Sequence, residues 1–203
     1  SAREALCRVS DFRGPLAPAG YTAHMLKILS CRLLALLGWT LSEPPERPAR
    51  AVLIAYPHTS NWDAFYALLG KFGLALDARW VAKDSLFRWP FGGLLRHLGG
   101  IPVDRRVRHG FVAEMVKQFA TQPRLLLVLA PEGTRRLTRG WKSGFYRMAL
   151  AADVPVALGF VDYARREAGI LAYVTLSGDP ASDLAVIARH YAGRCGKRPE
   201  LAS

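Results

Sequence analysis

The sequence predicts an α/β fold: a single domain with a mixed, mostly parallel sheet covered by helices. Three observations lead there. Beyond residue 48, short apolar runs of β type alternate with segments of helical period. The run "RLLLVLA", residues 124–130, lacks any alternation of apolar and polar positions, as a central strand buried on both faces would. Finally, 203 residues that are 51% hydrophobic suffice for one sizeable core and argue against disorder, and no internal repeat or second core is present.

Taken in order, the chain opens with an N-terminal segment, residues 1–48, followed by the domain proper, residues 49–203. Within the first segment "MLKILSCRLLALLGWTL", residues 25–41, is apolar but carries Lys27 and Arg32. It is short against the ~20 residues of a bilayer span. Polar residues precede it and no small-residue cleavage site follows, which is not the pattern of a signal peptide. An apolar or amphipathic helix is expected, lying at a membrane interface, against the core or, least favoured at this length, across the bilayer. After the Pro-rich joint "SEPPERPAR" the first strand spans 51–56 and is closed by Pro57. Ser60 and Asn61 are good N-caps for a helix over 62–75. Further strands are expected at 79–82, 101–103, 124–130, 154–161 and 170–176, and helices at 90–98, 109–121, 140–152 and 180–192. "LGGIPVDRR" and "APEGTRR" each put Gly or Pro at a strand edge and charged residues just past it. Strand-end loops are where open α/β sheets usually bind ligands.

Twenty-eight Lys and Arg against 16 Asp and Glu leave a formal charge of +12, so the surface should attract something anionic. Phosphate groups, anionic lipid, an acidic carrier protein and nucleic acid all qualify. Against nucleic acid, the basic residues are dispersed, with no helix-turn-helix signature, RNP-like aromatic run or zinc finger. Cys7, Cys31 and Cys195 are scattered and form no C-x-x-C pair, which disfavours a disulfide framework and a structural zinc site and suits a reducing cytoplasmic compartment.

His58 and Asp63 stand five positions apart in "YPHTSNWDAF". Along a continuous helix that separation rotates by about 140°, and along a strand an odd step reverses the face, so neither element would bring the side chains together. A bend between them would, and Pro57, Ser60 and Asn61 supply one. Asp63 would then orient the imidazole and leave its other nitrogen to take a proton from a hydroxyl. The plainer reading is an acid complementing a helix N-terminus beside a partly buried histidine. Glu132, Gly133 and Arg135 follow the most buried strand, and Arg105 and Arg106 follow another; Gly permits close backbone approach and Arg a fork for phosphate, although exposed turns would carry the same residues. Lys83 and Lys142 lie beyond two further boundaries, where they would join an anionic pocket or simply face solvent. Absent are G-x-x-x-x-G-K-[ST], G-x-G-x-x-G after a strand, H-E-x-x-H and G-x-S-x-G. This disfavours nucleotide hydrolysis, dinucleotide redox chemistry, zinc proteolysis and a serine acyl-enzyme.

The ordered set "HTSNWD", "GGIPVDR", "APEGTR" and "VPVALGF" resembles the glycerolipid acyltransferase family, the lysophosphatidic acid acyltransferase-like enzymes, over about half the chain, from His58 to about Phe160. The resemblance implies that His58 is the general base for an acceptor hydroxyl and that Asp63 holds it. It further implies that Arg105, Glu132, Gly133, Thr134 and Arg135 bind the acceptor phosphate, and that Pro155 marks a block that binds the acyl donor or shapes the site. Implied co-substrates are a lysophospholipid acceptor, by default 1-acyl-glycerol-3-phosphate, and an acyl thioester of coenzyme A or acyl carrier protein. No metal or cofactor is expected beyond that thioester. The basic balance suits an anionic membrane surface as partner, expected on its cytoplasmic side, and equally suits an acidic carrier protein. Where the family usually has Ser after E-G-T-R this chain has Arg136, which adds charge and leaves the acceptor headgroup open. The competing readings are a non-enzymatic membrane or lipid-binding module and an acyltransferase for another acceptor lipid.

Overall fold

The computed structural model describes residues 18–103, 110–133 and 140–201. In chain order the elements are α1 (Pro18–Leu36), β1 (Thr40–Ser42), β2 (Arg50–Ala55), α2 (Asn61–Gly73), β3 (Ala78–Lys83), α3 (Gly92–His97), β4 (Gly100–Val103), α4 (Phe111–Thr121), β5 (Leu125–Leu129), α5 (Gly144–Ala152), β6 (Val156–Asp162), β7 (Glu167–Val174) and α6 (Pro180–Tyr191). Among the described residues seven strands form one sheet in the order β1-β7-β6-β2-β5-β3-β4. Neighbours pair in parallel, apart from the antiparallel β6–β7 hairpin. The expected α/β class and mostly parallel sheet are therefore observed.

Apolar β-type runs become the centre of the sheet because they can be buried on both sides. In β2, Ala51, Val52 and Ile54 are 0% exposed, and all of β6 is buried. One sheet face, through Val52, Ile54, Leu127, Val156 and Leu158, packs on Met115 and Phe119 of α4, Phe145 and Met148 of α5 and Ile187 of α6. On the opposite face Leu34 of α1 meets Trp39, Val161 and Ala168, with Tyr66 and Leu69 of α2 against them. β5 sits between β2 and β3, with Leu125, Leu126 and Leu127 buried as its unbroken apolar run predicts.

β1 was not expected. Three residues are too few for a periodic signal, and this strand exists because β7 offers it a parallel edge, Thr40 opposite Glu167. That contact requires a glycine: Gly169 has φ +147, and a Cβ there would run into the Ser42 carbonyl. Gly169→Ala should destabilise the protein by about 1–3 kcal/mol, read as a lower urea midpoint at unchanged m-value.

α1 packs one side on the domain, where Leu34 is 1% exposed and the Cys31 thiol approaches the Gly73 carbonyl at 3.8 Å. Its other side leaves Met25, Leu29 and Leu36 exposed. Among the described residues no helix is long and apolar enough to cross a membrane. Strand and helix edges differ from the sequence reading by a few residues. α5 begins at Gly144 rather than 140, after the stretch carrying Trp141, and β7 begins at Glu167 rather than 170 because the hairpin turns back directly from β6.

Candidate active site

β2, β3, β4 and β5 run parallel, so their C-terminal ends share one edge of the sheet. His58 lies beyond β2 at this edge, Lys83 ends β3, and Glu132 and Gly133 follow β5. The bend expected between His58 and Asp63 is formed by the N-terminus of α2. Ser60 caps the helix in extended conformation; its side chain accepts from the Trp62 N–H at 3.2 Å, and Asp63 reaches back to the Ser60 N–H, completing a capping box.

Asp63 therefore both complements the helix start and faces the imidazole of His58. Its Oδ2 accepts from the Thr59 and Ser60 amides, each at 2.7 Å, and lies 3.4 Å from Nδ1 of His58. Oδ1 accepts from the Tyr163 hydroxyl at 2.8 Å. Burial alone would raise this carboxyl, but the bonds from His58, Ser60, Tyr163 and Thr59 outweigh it and hold the group below the ordinary carboxylate value. With side-chain exposures of 26% for His58 and 5% for Asp63, the imidazole borders solvent and the acid does not. Nδ1 facing a carboxylate leaves Nε2 to take or give a proton.

Glu132 is 1% exposed beneath the turn after β5. Burial and then the charge of Glu132 raise the phenol of Tyr56, two residues before His58. Gly133 has φ +67, and a Cβ built there would stand 2.6 Å from Nζ of Lys142, whose amide donates to the Pro131 carbonyl at 2.9 Å. The glycine thus admits a lysine against the turn, and Lys142, a weaker expectation from sequence, joins this region. Lys83 is exposed at the end of its strand. Arg105, Arg106, Thr134, Arg135 and Arg136 lie outside the described residues. Pro155 is not brought to His58. It immediately precedes β6, whose Val156 pairs with Val52, and its carbonyl accepts from the Val52 N–H, so it stands at the opposite edge of the sheet. Its fixed φ and missing N–H suit the start of a strand.

An apolar cleft of about 440 Å³ is lined by Tyr56, two residues before His58, with Trp141, Leu184, Ala188 and Tyr191. Its aromatic rings meet edge to face, with centroids 5.1 Å apart for Tyr56 and Trp141 and 5.0 Å for Tyr56 and Tyr191. A more polar cleft of about 500 Å³ borders Ala78, Gly100 and Leu125, the first residues of β3, β4 and β5. Despite its size it lies at the strand starts, away from His58 at the strand ends.

Sequence reasoning missed Tyr163 and the C-terminal segment that packs on the histidine loop. There the Arg198 N–H donates to Thr59 Oγ1 at 3.2 Å, and Nζ of Lys197 lies 4.7 Å from the Trp62 ring centroid. A tyrosine 100 residues downstream of Asp63 gives no local signal.

A family model described as Acyltransferase matches residues 40–157. No curated protein matches the chain. Among solved structures the chain is similar to the crystal structure of the 1-acyl-sn-glycerophosphate (LPA) acyltransferase, PlsC, from Thermotoga maritima, with a TM-score of 0.60 and 18% identity over 83% of this chain and 76% of that one. At this identity the likeness concerns the fold.

Proposed function

The chain belongs to the acyltransferase family, and from that premise we propose that it moves a fatty acyl group from an acyl thioester to the hydroxyl of a lysophospholipid, by default 1-acyl-glycerol-3-phosphate, giving phosphatidic acid. The observation that carries this reading is the His58–Asp63 pair, 3.4 Å apart at the C-terminal edge of the sheet. Nε2 of His58 takes the hydroxyl proton as the oxygen attacks the thioester carbonyl. The tetrahedral intermediate then collapses, the carbon–sulfur bond breaks, and the imidazolium returns the proton to the departing thiolate. Asp63 keeps its charge throughout and steadies the imidazolium. Coenzyme A or acyl carrier protein is the leaving thiol.

Arg105, Thr134 and Arg135 are assigned to the acceptor phosphate with Gly133, and Lys142, lying against Gly133, adds positive charge to the same turn. Holding the phosphate beside the base makes the two-substrate transfer effectively intramolecular. Glu132, being buried, shapes this turn from within. The cleft between Tyr56, Trp141 and Tyr191 takes the acyl chain, its apolar lining and the place of Tyr56 two residues before His58 being the support. An anionic membrane on its cytoplasmic side supplies the acceptor. This accords with the charge of +12 and with the exposed Leu86, Trp89, Phe91 and Leu94, Trp89 at 94%.

The test offers purified protein a panel of lysophospholipids and phosphate-free acceptors with coenzyme A and carrier-protein thioesters, following released thiol. Phosphate-bearing acceptors should turn over, and Arg135→Ala should slow them by about 10-fold or more through a raised acceptor KM. Equal turnover of phosphate-free acceptors, indifferent to Arg135→Ala, contradicts the phosphate assignment.

A further inference from the structure

We infer that Tyr163 is a positioning residue for the His58–Asp63 pair, pinning one carboxylate oxygen of Asp63 so that the other stays on the imidazole. This rests on the proposed role of His58 and extends it to a residue beyond position 157, where the family match ends.

Three of the four donors on Asp63 come from its own loop: the Thr59 and Ser60 amides and Nδ1 of His58, all on Oδ2. These leave Oδ1 for a donor from elsewhere, and the Tyr163 hydroxyl provides it at 2.8 Å. A carboxylate gripped at one oxygen can still rock about its Cβ–Cγ bond and carry the imidazole with it. Gripped at both, it cannot. Asp63 is buried, so water competes little for this position.

The phenol is itself held at both ends. The Tyr163 N–H donates to the Cys195 carbonyl at 2.9 Å, and its ring stands edge-on to Trp39 and Tyr66, with centroids 5.2 and 5.7 Å away. Next to it Asp162, 0% exposed, accepts from the Ala164 and Arg165 amides and pairs with the Arg165 guanidinium at 2.8 Å and that of Arg194 at 3.4 Å. The chain after Arg194 then crosses the histidine loop through Lys197 and Arg198. The segment that seats Tyr163 thus also seats Thr59, the residue after His58. Filling the aromatic cluster would need only a phenylalanine; the hydroxyl is the part that packing does not require. Burial and the bond to Asp63 raise the phenol far above its ordinary range, so it stays a donor at any working pH.

The experiment compares Tyr163→Phe, Tyr66→Phe and His58→Ala with wild type, measuring thiol release from an acyl thioester with a lysophospholipid across pH, together with thermal unfolding. For Tyr163→Phe, kcat should fall about 10-fold, on the order of one charge-assisted hydrogen bond, with KM for either substrate within about twofold. The acid limb of kcat/KM should move to higher pH, because a carboxylate relieved of one donor holds the protonated imidazole more tightly. Tyr66→Phe, which keeps its ring and has no bond to Asp63, should stay within about twofold in kcat, with its acid limb unmoved. An unchanged kcat in Tyr163→Phe overturns the inference. So does a loss of kcat with an unmoved acid limb and a lower unfolding midpoint, since that is a folding role only. An inactive His58→Ala beside a fully active Tyr163→Phe sinks this inference alone, whereas an active His58→Ala removes the base from which it starts.

Discussion

His58→Ala should lower kcat by about 10²- to 10⁴-fold, the range for loss of a general base, while KM for both substrates and the unfolding midpoint stay near wild type. The expectation of intact folding follows from where the imidazole sits. Its side chain is 26% exposed and pairs with Asp63, which retains the Thr59, Ser60 and Tyr163 donors without it. Removing it takes away a proton acceptor and little packing. Steady-state rates of thiol release, with unfolding curves on the same preparation, check both halves; wild-type activity would dismiss the proposed chemistry.

Asp63→Asn should be costly twice. It removes the negative charge that steadies the imidazolium, so kcat should fall by a comparable 10²- to 10⁴-fold, on the order of the loss of the base itself. It also sets an amide where a carboxylate accepts two backbone N–H groups and a phenol, and leaving one of those donors unsatisfied costs about 1–3 kcal/mol. The pH dependence separates these effects. Because the folded-state value of Asp63 is lowered, its contribution to stability is fully present above the unfolded carboxylate value of about 3.9 and is lost as pH falls through the folded one. Wild type should therefore lose stability below about pH 4 more steeply than Asp63→Asn, in urea titrations at stepped pH. Parallel acid limbs in the two proteins would contradict the assigned bonds.

The sheet was legible wherever a strand is buried on both faces, since such a strand must be apolar over most of its length. β2, β5 and β6 reveal themselves in this way. β1 did not, because three edge residues carry too little pattern and are held by what β7 presents. At the site, the bend that joins His58 to Asp63 could be inferred from Pro57 and Ser60, as capping is a local interaction within a few residues. Pro155 shows where motif reading stops. It belongs to an ordered block, yet it stands just before a parallel strand, at the edge of the sheet opposite His58.

What the sequence determined by itself was the α/β class and the start of α2, governed by periodicity or by contacts spanning no more than a few residues; the spacing of His58 and Asp63 left their pairing open, and the ordered motifs favoured it. Tertiary structure alone decided that Tyr163 reaches Asp63, that the C-terminal segment crosses the histidine loop, and that Lys142 lies against Gly133. In the first two cases the partners are about 100 or more residues apart. Such meetings depend on strand order and on the turn of a hairpin, and no local propensity encodes the distance between two ends of a folded chain.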